Sequence, residues 1–261
     1  MRILSQPAYV LHARPWRETS LLLEVMSEDH GRLGIVARGI HGPRRQVLRA
    51  ALQPLQHIRF DAVLRGELAQ LNSAEAVDAA PRLRSDAALA AFYVSELLIR
   101  LAPRQDPRPE LYALYGEVRM RLGEDAQPLA WTLRRFERDL LQALGVGFDL
   151  TVDGDGAAID PAARYRLDPE HGPRRVRDAR SGERLRNATG RALLALAHDV
   201  MPAAAELPAL RRVLRTLLAD QLGGRGLRSW DLMAQLGRLA VPGQSPSPGP
   251  EPGRPADDSV A

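Results

Sequence analysis

The chain has 261 residues, of which 45% are hydrophobic and 26% charged; its net charge is only +4, and it contains no cysteine and no lysine, so all 36 basic residues are arginine. A chain of this size and composition buries a real core, and without cysteine it has no disulfide, no thiolate metal site and no cysteine nucleophile. No stretch reaches 18 uninterrupted apolar residues, which speaks against a membrane span, and the segment from Met1 to Pro7 lacks the apolar core and cleavage site of a signal peptide.

The first 75 residues read as strands and turns. Ala8 to Leu11 is short and apolar, and Thr19 to Met26 is β-prone and ends in the turn cluster Ser27-Glu28-Asp29-His30-Gly31. Leu33 to Ala37, Leu55 to Phe60 and Glu67 to Leu71 supply three further candidates, the last following a turn at Arg65-Gly66. Five short strands suggest a small closed barrel, for which the OB-fold is the commonest five-stranded option. The expected first domain spans residues 1–79.

After residue 80 the period lengthens. Ala87, Ala91, Val94, Leu98 and Leu101 fall at helical spacing and stop at Pro103. Leu111, Leu114, Val118 and Leu122 continue a second helix. Leu129, Leu133, Phe136, Leu140 and Leu144 form a third, closed by Gly145-Val146-Gly147. Residues 148–188 are dense in glycine, aspartate and proline and read as an irregular insert with room for a small hairpin. Helices resume at Thr189, a predicted N-cap, and a last short one begins near Ser229. This second domain is expected over 80–240, and the fold class is α+β. Residues 241–261 are proline-rich, cannot form a core and are expected to be disordered.

The basic residues form three groups. By regions, residues 1–75 hold 10 arginines against 7 acids, the most basic stretch per residue. Arg14, Arg17, Arg32, Arg38, Arg44, Arg45 and Arg49 sit at strand ends or in loops, and Gly39 to Arg45 is a glycine-flanked basic loop suited to close approach by a phosphodiester. Arginine stays charged and holds phosphate through two parallel hydrogen bonds. Trp16, between Arg14 and Arg17, either stacks on an unpaired base or plugs the barrel. In the third helix Trp131, Arg134, Arg135 and Arg138 share much of one face, which either receives acidic peptides or phosphates or is simply solvated. Arg174, Arg175, Arg177 and Arg180 form a run in the irregular insert that either contacts DNA or decorates a loop.

Chemistry-bearing patterns are missing. There is no phosphate loop, which needs a lysine, no G-x-S-x-G elbow and no H-E-x-x-H. Asp153-Gly154-Asp155-Gly156 fails as a calcium loop, since position six is Ala158 and no glutamate stands at position twelve. His171 and His198 lack a ligand set. No enzymatic activity, cofactor or metal is therefore expected.

An ordered series of short motifs is similar to the RecO family of recombination and repair mediators. Arg14-Pro15-Trp16-Arg17-Glu18-Thr19-Ser20-Leu21 resembles that family's first strand and turn. Gly31-Arg32 followed by Val36-Ala37-Arg38-Gly39, then Leu52-Gln53-Pro54, Arg65-Gly66-Glu67-Leu68 and Ser73-Ala74-Glu75, resemble its next signals. Arg134-Arg135-Phe136-Glu137 with Leu144-Gly145 resembles its helical core, and Leu222-Gly223-Gly224-Arg225-Gly226-Leu227-Arg228-Ser229 its C-terminal segment. The matches span residues 10 to about 237.

The resemblance implies an OB-fold, a helical domain and a small irregular module. It implies binding of single- and double-stranded DNA, annealing of strands coated by single-stranded DNA-binding protein, partnership with that protein's acidic C-terminal tail and with RecR, and loading of RecA in the RecF pathway. It makes Arg14, Trp16, Arg17, Arg32, Arg38, Arg44, Arg45 and Arg49 the DNA-contact candidates, and Arg134, Arg135 and Arg138 the candidates for the acidic tail. A cytoplasmic, nucleoid-associated location follows. Many relatives carry four zinc-binding cysteines in the irregular module; residues 148–188 have none, so no zinc is expected. The family's Ser-Arg is Ser229-Trp230 here, so any contact owed to that arginine is lost or moved. An RNA-binding OB protein, a protein-only adaptor and a metal-dependent nuclease are the competing readings.

Overall fold

A computed structural model describes residues 1–40, 42, 45–124, 126–176 and 187–239. Arg44, Arg177, Arg180 and the proline-rich segment 241–261 lie outside them.

Alternation along the strands builds the first unit. In β1 (Arg2–Trp16), Ala8 and Val10 point into the barrel core, while Tyr9 and Leu11 point outward and are covered by helices. In β2 (Ser20–Ser27), Leu23 and Val25 point in and Met26 points out. Because both faces are buried here, the sequence shows runs of apolar residues instead of clean alternation. β3 (Gly31–Ala37), α1 (Gln46–Ala51), β4 (His57–Arg65) and β5 (Leu68–Ala76) complete the unit. The strands close in the order β1-β2-β3-β5-β4, antiparallel except where β3 meets β5. This is the predicted OB-type barrel, and closure removes the exposed sheet edges that invite aggregation.

β1 is far longer than the predicted Ala8–Leu11 strand. It serves two neighbours in turn: Arg2 to Tyr9 pair with β4, and Ala8 to Trp16 pair with β2. Register shifts between Ile3 and Gln6 and between Val10 and His12 absorb the polar stretch and the switch of partner. Neither signal is visible as hydrophobic periodicity.

The second unit is mainly helical: α2 (Ser85–Leu101), α3 (Pro109–Arg121), α4 (Leu129–Ala143), α5 (Gly190–Ala197), α6 (Leu207–Gln221) and α7 (Arg228–Leu239), with a 3-10 turn at Ala204–Glu206. Val94, Leu97 and Leu98 of α2, Leu111 and Tyr115 of α3, Phe136 and Leu140 of α4, and Leu210 and Leu214 of α6 share one core. Thr189 caps α5 as predicted, its Oγ1 accepting from Ala192 N–H at 3.1 Å. The irregular insert holds a three-stranded sheet, β6 (Arg164–Asp168), β7 (Gly172–Arg175) and β8 (Ala188–Thr189), in the order β7-β6-β8.

A largely aromatic cluster is one of the contacts that lock the two units together. Tyr9 of β1 stacks on His57 with centroids 4.6 Å apart, and His57 Nε2 lies 3.0 Å from the Tyr112 hydroxyl of α3. The Arg119 guanidinium of α3, only 2% exposed, donates to Asp78 Oδ2 at 3.0 Å and to the Ala79 carbonyl at 3.3 Å. α3 comes this close because Gly116 has no side chain: a Cβ there would meet the Tyr9 hydroxyl at 2.5 Å.

Candidate nucleic-acid interface

The β1–β2 turn, the end of β3 and the β4–β5 turn converge at one side of the barrel. Between them lies a cleft of about 1000 Å³ lined by Trp16, Arg17, Glu18, Thr19, Ser20, Val36, Arg38, Val63, Arg65, Leu68, Ala69 and Gln70. The chain leaving β3 is tied to this side by Ile40 N–H, which donates to the Thr19 carbonyl at 2.8 Å. In OB barrels the strand 2–3 face and the loops after strands 1 and 4 are where oligonucleotides bind, and this cleft occupies that place.

Among the described residues three arginines line it: Arg17, Arg38 and Arg65, all exposed. Among the described residues none offers any of the three a carboxylate. Glu18 is the one acid among the described lining residues. Trp16 is half-buried at the cleft wall and is not part of the barrel core. Arg14 packs on its ring from 5.4 Å. A half-exposed indole beside cations suits a stacked base, and such stacking contributes about 1–3 kcal/mol per base.

Of the predicted DNA-contact residues, the cleft therefore gathers Trp16, Arg17 and Arg38, with Arg14 behind Trp16. Arg45 and Arg49 flank or belong to α1 and do not line the cleft. Arg65 is not one of the predicted contacts; the sequence places it in a turn and in a family-like motif, and its position in the cleft becomes apparent once the barrel closes.

Arg32 is a correction. Its side chain turns away from the cleft, 9% exposed, with Nε donating to the Ala102 carbonyl at 2.9 Å and NH1 to Glu24 Oε2 at 3.0 Å. Burial pulls its pKa below the ordinary guanidinium value, and Glu24 opposes that. A guanidinium so held fastens the barrel to the α2–α3 loop.

The predicted basic stripe on α4 is also corrected, because it is not one surface. Trp131 and Arg134 are buried, at 1% and 3% exposure. Arg134 Nε donates to Glu137 Oε2 at 2.8 Å, and Glu137 Oε1 also accepts from the Tyr93 hydroxyl at 2.7 Å. Burial, and then Glu137, hold the Tyr93 hydroxyl well above its ordinary pKa. Arg135 and Arg138 point elsewhere, to Asp199 beyond α5: Arg135 Nε and NH2 reach its two oxygens at 2.6 and 2.5 Å, and Arg138 NH2 reaches Oδ1 at 3.2 Å. Burial lowers the Arg138 pKa, but Asp139 and Asp199 more than offset it and leave the group above its ordinary value.

Beside Arg134 the helices leave a small, mostly apolar pocket of about 180 Å³ lined by Tyr93, Leu129, Ala130, Leu133, Trp230 and Met233, with Arg134, Glu137, Arg211 and Arg215 also contributing. Arg215 lies over the Trp230 ring at 4.2 Å. Arg211 and Arg215 are exposed, one helical turn apart on α6, and no described carboxylate pairs with them. Trp230 stands in the position that departs from the family motif. Its neighbour Ser229 is fixed by Glu96, which accepts from Ser229 N–H at 2.9 Å, from its hydroxyl at 2.7 Å and from Arg228 N–H at 2.8 Å.

The irregular module offers no thiolate set for zinc. Hydrogen bonds shape it: Asp153 Oδ1 accepts from the N–H groups of Asp155 and Ala157 at 3.0 and 2.9 Å, Asp168 Oδ1 meets His171 Nδ1 at 3.0 Å, and Arg175 donates to Asp160 at 3.0 Å. Among the described residues no group of three or more His, Asp or Glu side chains is placed to hold a metal. No helix among them is long and apolar enough to cross a membrane.

Two family models match the chain: Recombination protein O N terminal over residues 1–80 and Recombination protein O C terminal over residues 82–231. The chain is 62% identical over 239 residues to the DNA repair protein RecO of Xanthomonas oryzae pv. oryzae (strain PXO99A), covering 91% of this chain and 99% of that one. It is 61% identical over 236 residues to the DNA repair protein RecO of Stenotrophomonas maltophilia (strain R551-3), covering 90% and 98%.

Proposed function

The chain belongs to the RecO family, and we propose that it serves in DNA repair as a recombination mediator that binds single- and double-stranded DNA and anneals complementary strands without making or breaking a bond. The observation that carries this reading is the cleft, where Arg17, Arg38 and Arg65 stand beside Trp16 without a carboxylate partner among the described residues. Arginines neutralise phosphates and release counterions, so two strands that repel one another can approach. The same mechanism makes binding fall with salt and show little sequence preference. It needs no catalytic group, metal or cofactor.

The wider role follows from the family. The DNA to be annealed is coated by single-stranded DNA-binding protein, and the acidic tail of that protein ends in a hydrophobic residue and a free carboxylate. The pocket between α4, α6 and α7 suits it: Leu133, Trp230 and Met233 accept an apolar side chain, and Arg211 and Arg215 meet carboxylates. This moves the tail contact away from Arg135 and Arg138, whose charge Asp199 already answers. With RecR, the protein would then promote RecA loading, in the cytoplasm and at the nucleoid.

Fluorescence-monitored annealing of two complementary oligonucleotides coated with single-stranded DNA-binding protein tests the reading. Acceleration that needs the last residues of that protein's tail supports both halves. No acceleration with intact DNA binding leaves a plain OB-fold binder, and tighter binding to RNA than to DNA favours the RNA-binding alternative. Failure to bind DNA at physiological salt favours a protein-only adaptor.

A further inference from the structure

The α2–α3 loop of the helical unit reaches the framework of the cleft. β3 and β5 pair only at Gly34, Ile35 and Val36 with Leu68, Ala69 and Gln70. On that side the first half of β3 has no strand partner among the described residues, and the α2–α3 loop enters the gap. Arg32 and Arg104 form a parallel bridge, and Gln105 N–H donates to the Arg32 carbonyl at 3.0 Å. Glu24 holds Arg32 and Arg104 together.

From this anchored backbone the Gln105 side chain crosses the gap, and its Nε2 donates to the Gly66 carbonyl at 3.2 Å. Gly66 is the residue after Arg65 in the β4–β5 turn, whose members from Arg65 to Leu68 are all exposed. Gln105 itself sits at φ +54°, a left-handed conformation that a non-glycine residue holds only when its surroundings impose it, and such positions gather at functional sites.

We propose that Gln105 is a positioning residue for nucleic-acid binding: by tying the β4–β5 turn to the helical unit, it fixes Arg65 in the same cleft as Arg17 and Arg38. This rests on the cleft being the strand-binding site. An exposed turn free of that tie has to be ordered each time a strand binds, and the ordering lowers affinity.

The test is titration of the full-length chain with a labelled single-stranded oligonucleotide between about 50 and 200 mM salt. It compares the wild type with Gln105→Met, similar in length but without a donor, with Gln105→Gly, which suits the left-handed backbone, with Arg65→Ala, and with the Gln105→Met/Arg65→Ala pair. Arg65→Ala is expected to weaken binding and flatten the dependence of log affinity on log salt by about 0.7. Both Gln105 variants are expected to weaken it by about 2- to 10-fold, on the order of the worth of one neutral hydrogen bond, with the salt slope of the wild type, because Arg65 still meets its phosphate once the turn is ordered, and a melting temperature lowered by only a few degrees. Adding Gln105→Met to Arg65→Ala is expected to cost nothing more. Gln105 variants that bind like wild type while Arg65→Ala weakens binding overturn the positioning role and leave the cleft standing. Additive losses in the pair overturn it too. Arg65→Ala binding like wild type overturns the cleft reading, and the inference with it.

Discussion

Arg134 donates from Nε to Glu137 Oε2 at 2.8 Å within α4, and both side chains are buried. Removing one member of such a pair strands the other charge in the core, which costs about 3–5 kcal/mol. Arg134→Ala is therefore expected to lower stability in urea by that order, with Glu137 and Tyr93 left mismatched. A variant as stable as wild type would show that Arg134 is not part of the core.

Arg211 and Arg215 flank the Trp230 pocket and carry no described carboxylate partner. The double variant Arg211→Glu/Arg215→Glu is expected to abolish capture of an acidic peptide with an apolar C-terminal residue, measured by fluorescence anisotropy, and to leave single-stranded DNA affinity within about threefold, because these residues lie outside the barrel cleft. Asp199→Asn is expected to leave the same peptide affinity unchanged, since Arg135 and Arg138 face away from the pocket. A gain in affinity on Asp199→Asn would return the tail contact to Arg135 and Arg138.

His57 is half-buried between Tyr9 and Tyr112, and this burial lowers its pKa below the ordinary 6.5; Asp78 opposes the shift, while Arg119 and Arg59 add to it. The unfolded chain thus takes up a proton at a higher pH than the folded one. Between the two values the unfolded state binds more protons, so stability falls as pH falls from about 6.5. The melting temperature is expected to drop between about pH 7.5 and pH 5.5, and to drop less in His57→Gln. The lowered carboxylates Asp61, Asp149 and Asp168 lose their contribution only at lower pH. Equal pH slopes in wild type and variant would remove His57 from the account.

The irregular module has no cysteine and is shaped by hydrogen-bonded aspartate turns. Dialysis against a strong chelator is expected to leave the melting temperature unchanged and to release no stoichiometric zinc. A lowered melting temperature restored by zinc would contradict this.

The barrel was legible because Thr19 to Met26 and Leu33 to Ala37 are β-prone runs between turn residues, and the helices because apolar positions recur every three or four residues. β1 was legible only in part: Ser5, Gln6 and two prolines hide a strand that bulges and changes partner. The arginines were the least legible. Arg32, Arg134 and Arg119 are core residues with carboxylate partners, whereas Arg17, Arg38 and Arg65 face open solvent. Composition gives both sets the same letter. For Arg134 a carboxylate three residues on was a usable signal; for Arg32, held by Glu24 and by a carbonyl seventy residues away, it was only half of one.

The cleft bounded by the β1–β2 and β4–β5 turns is the proposed seat of the nucleic-acid backbone. The most direct test is the salt dependence of single-stranded DNA binding by the triple variant Arg17→Ala/Arg38→Ala/Arg65→Ala. Each lost phosphate contact lowers the slope of log affinity against log salt by about 0.7, so the triple variant is expected to lose about 2 in slope and to bind far more weakly at low salt. Unchanged slope and affinity, with the fold intact, would place the DNA somewhere else on the molecule.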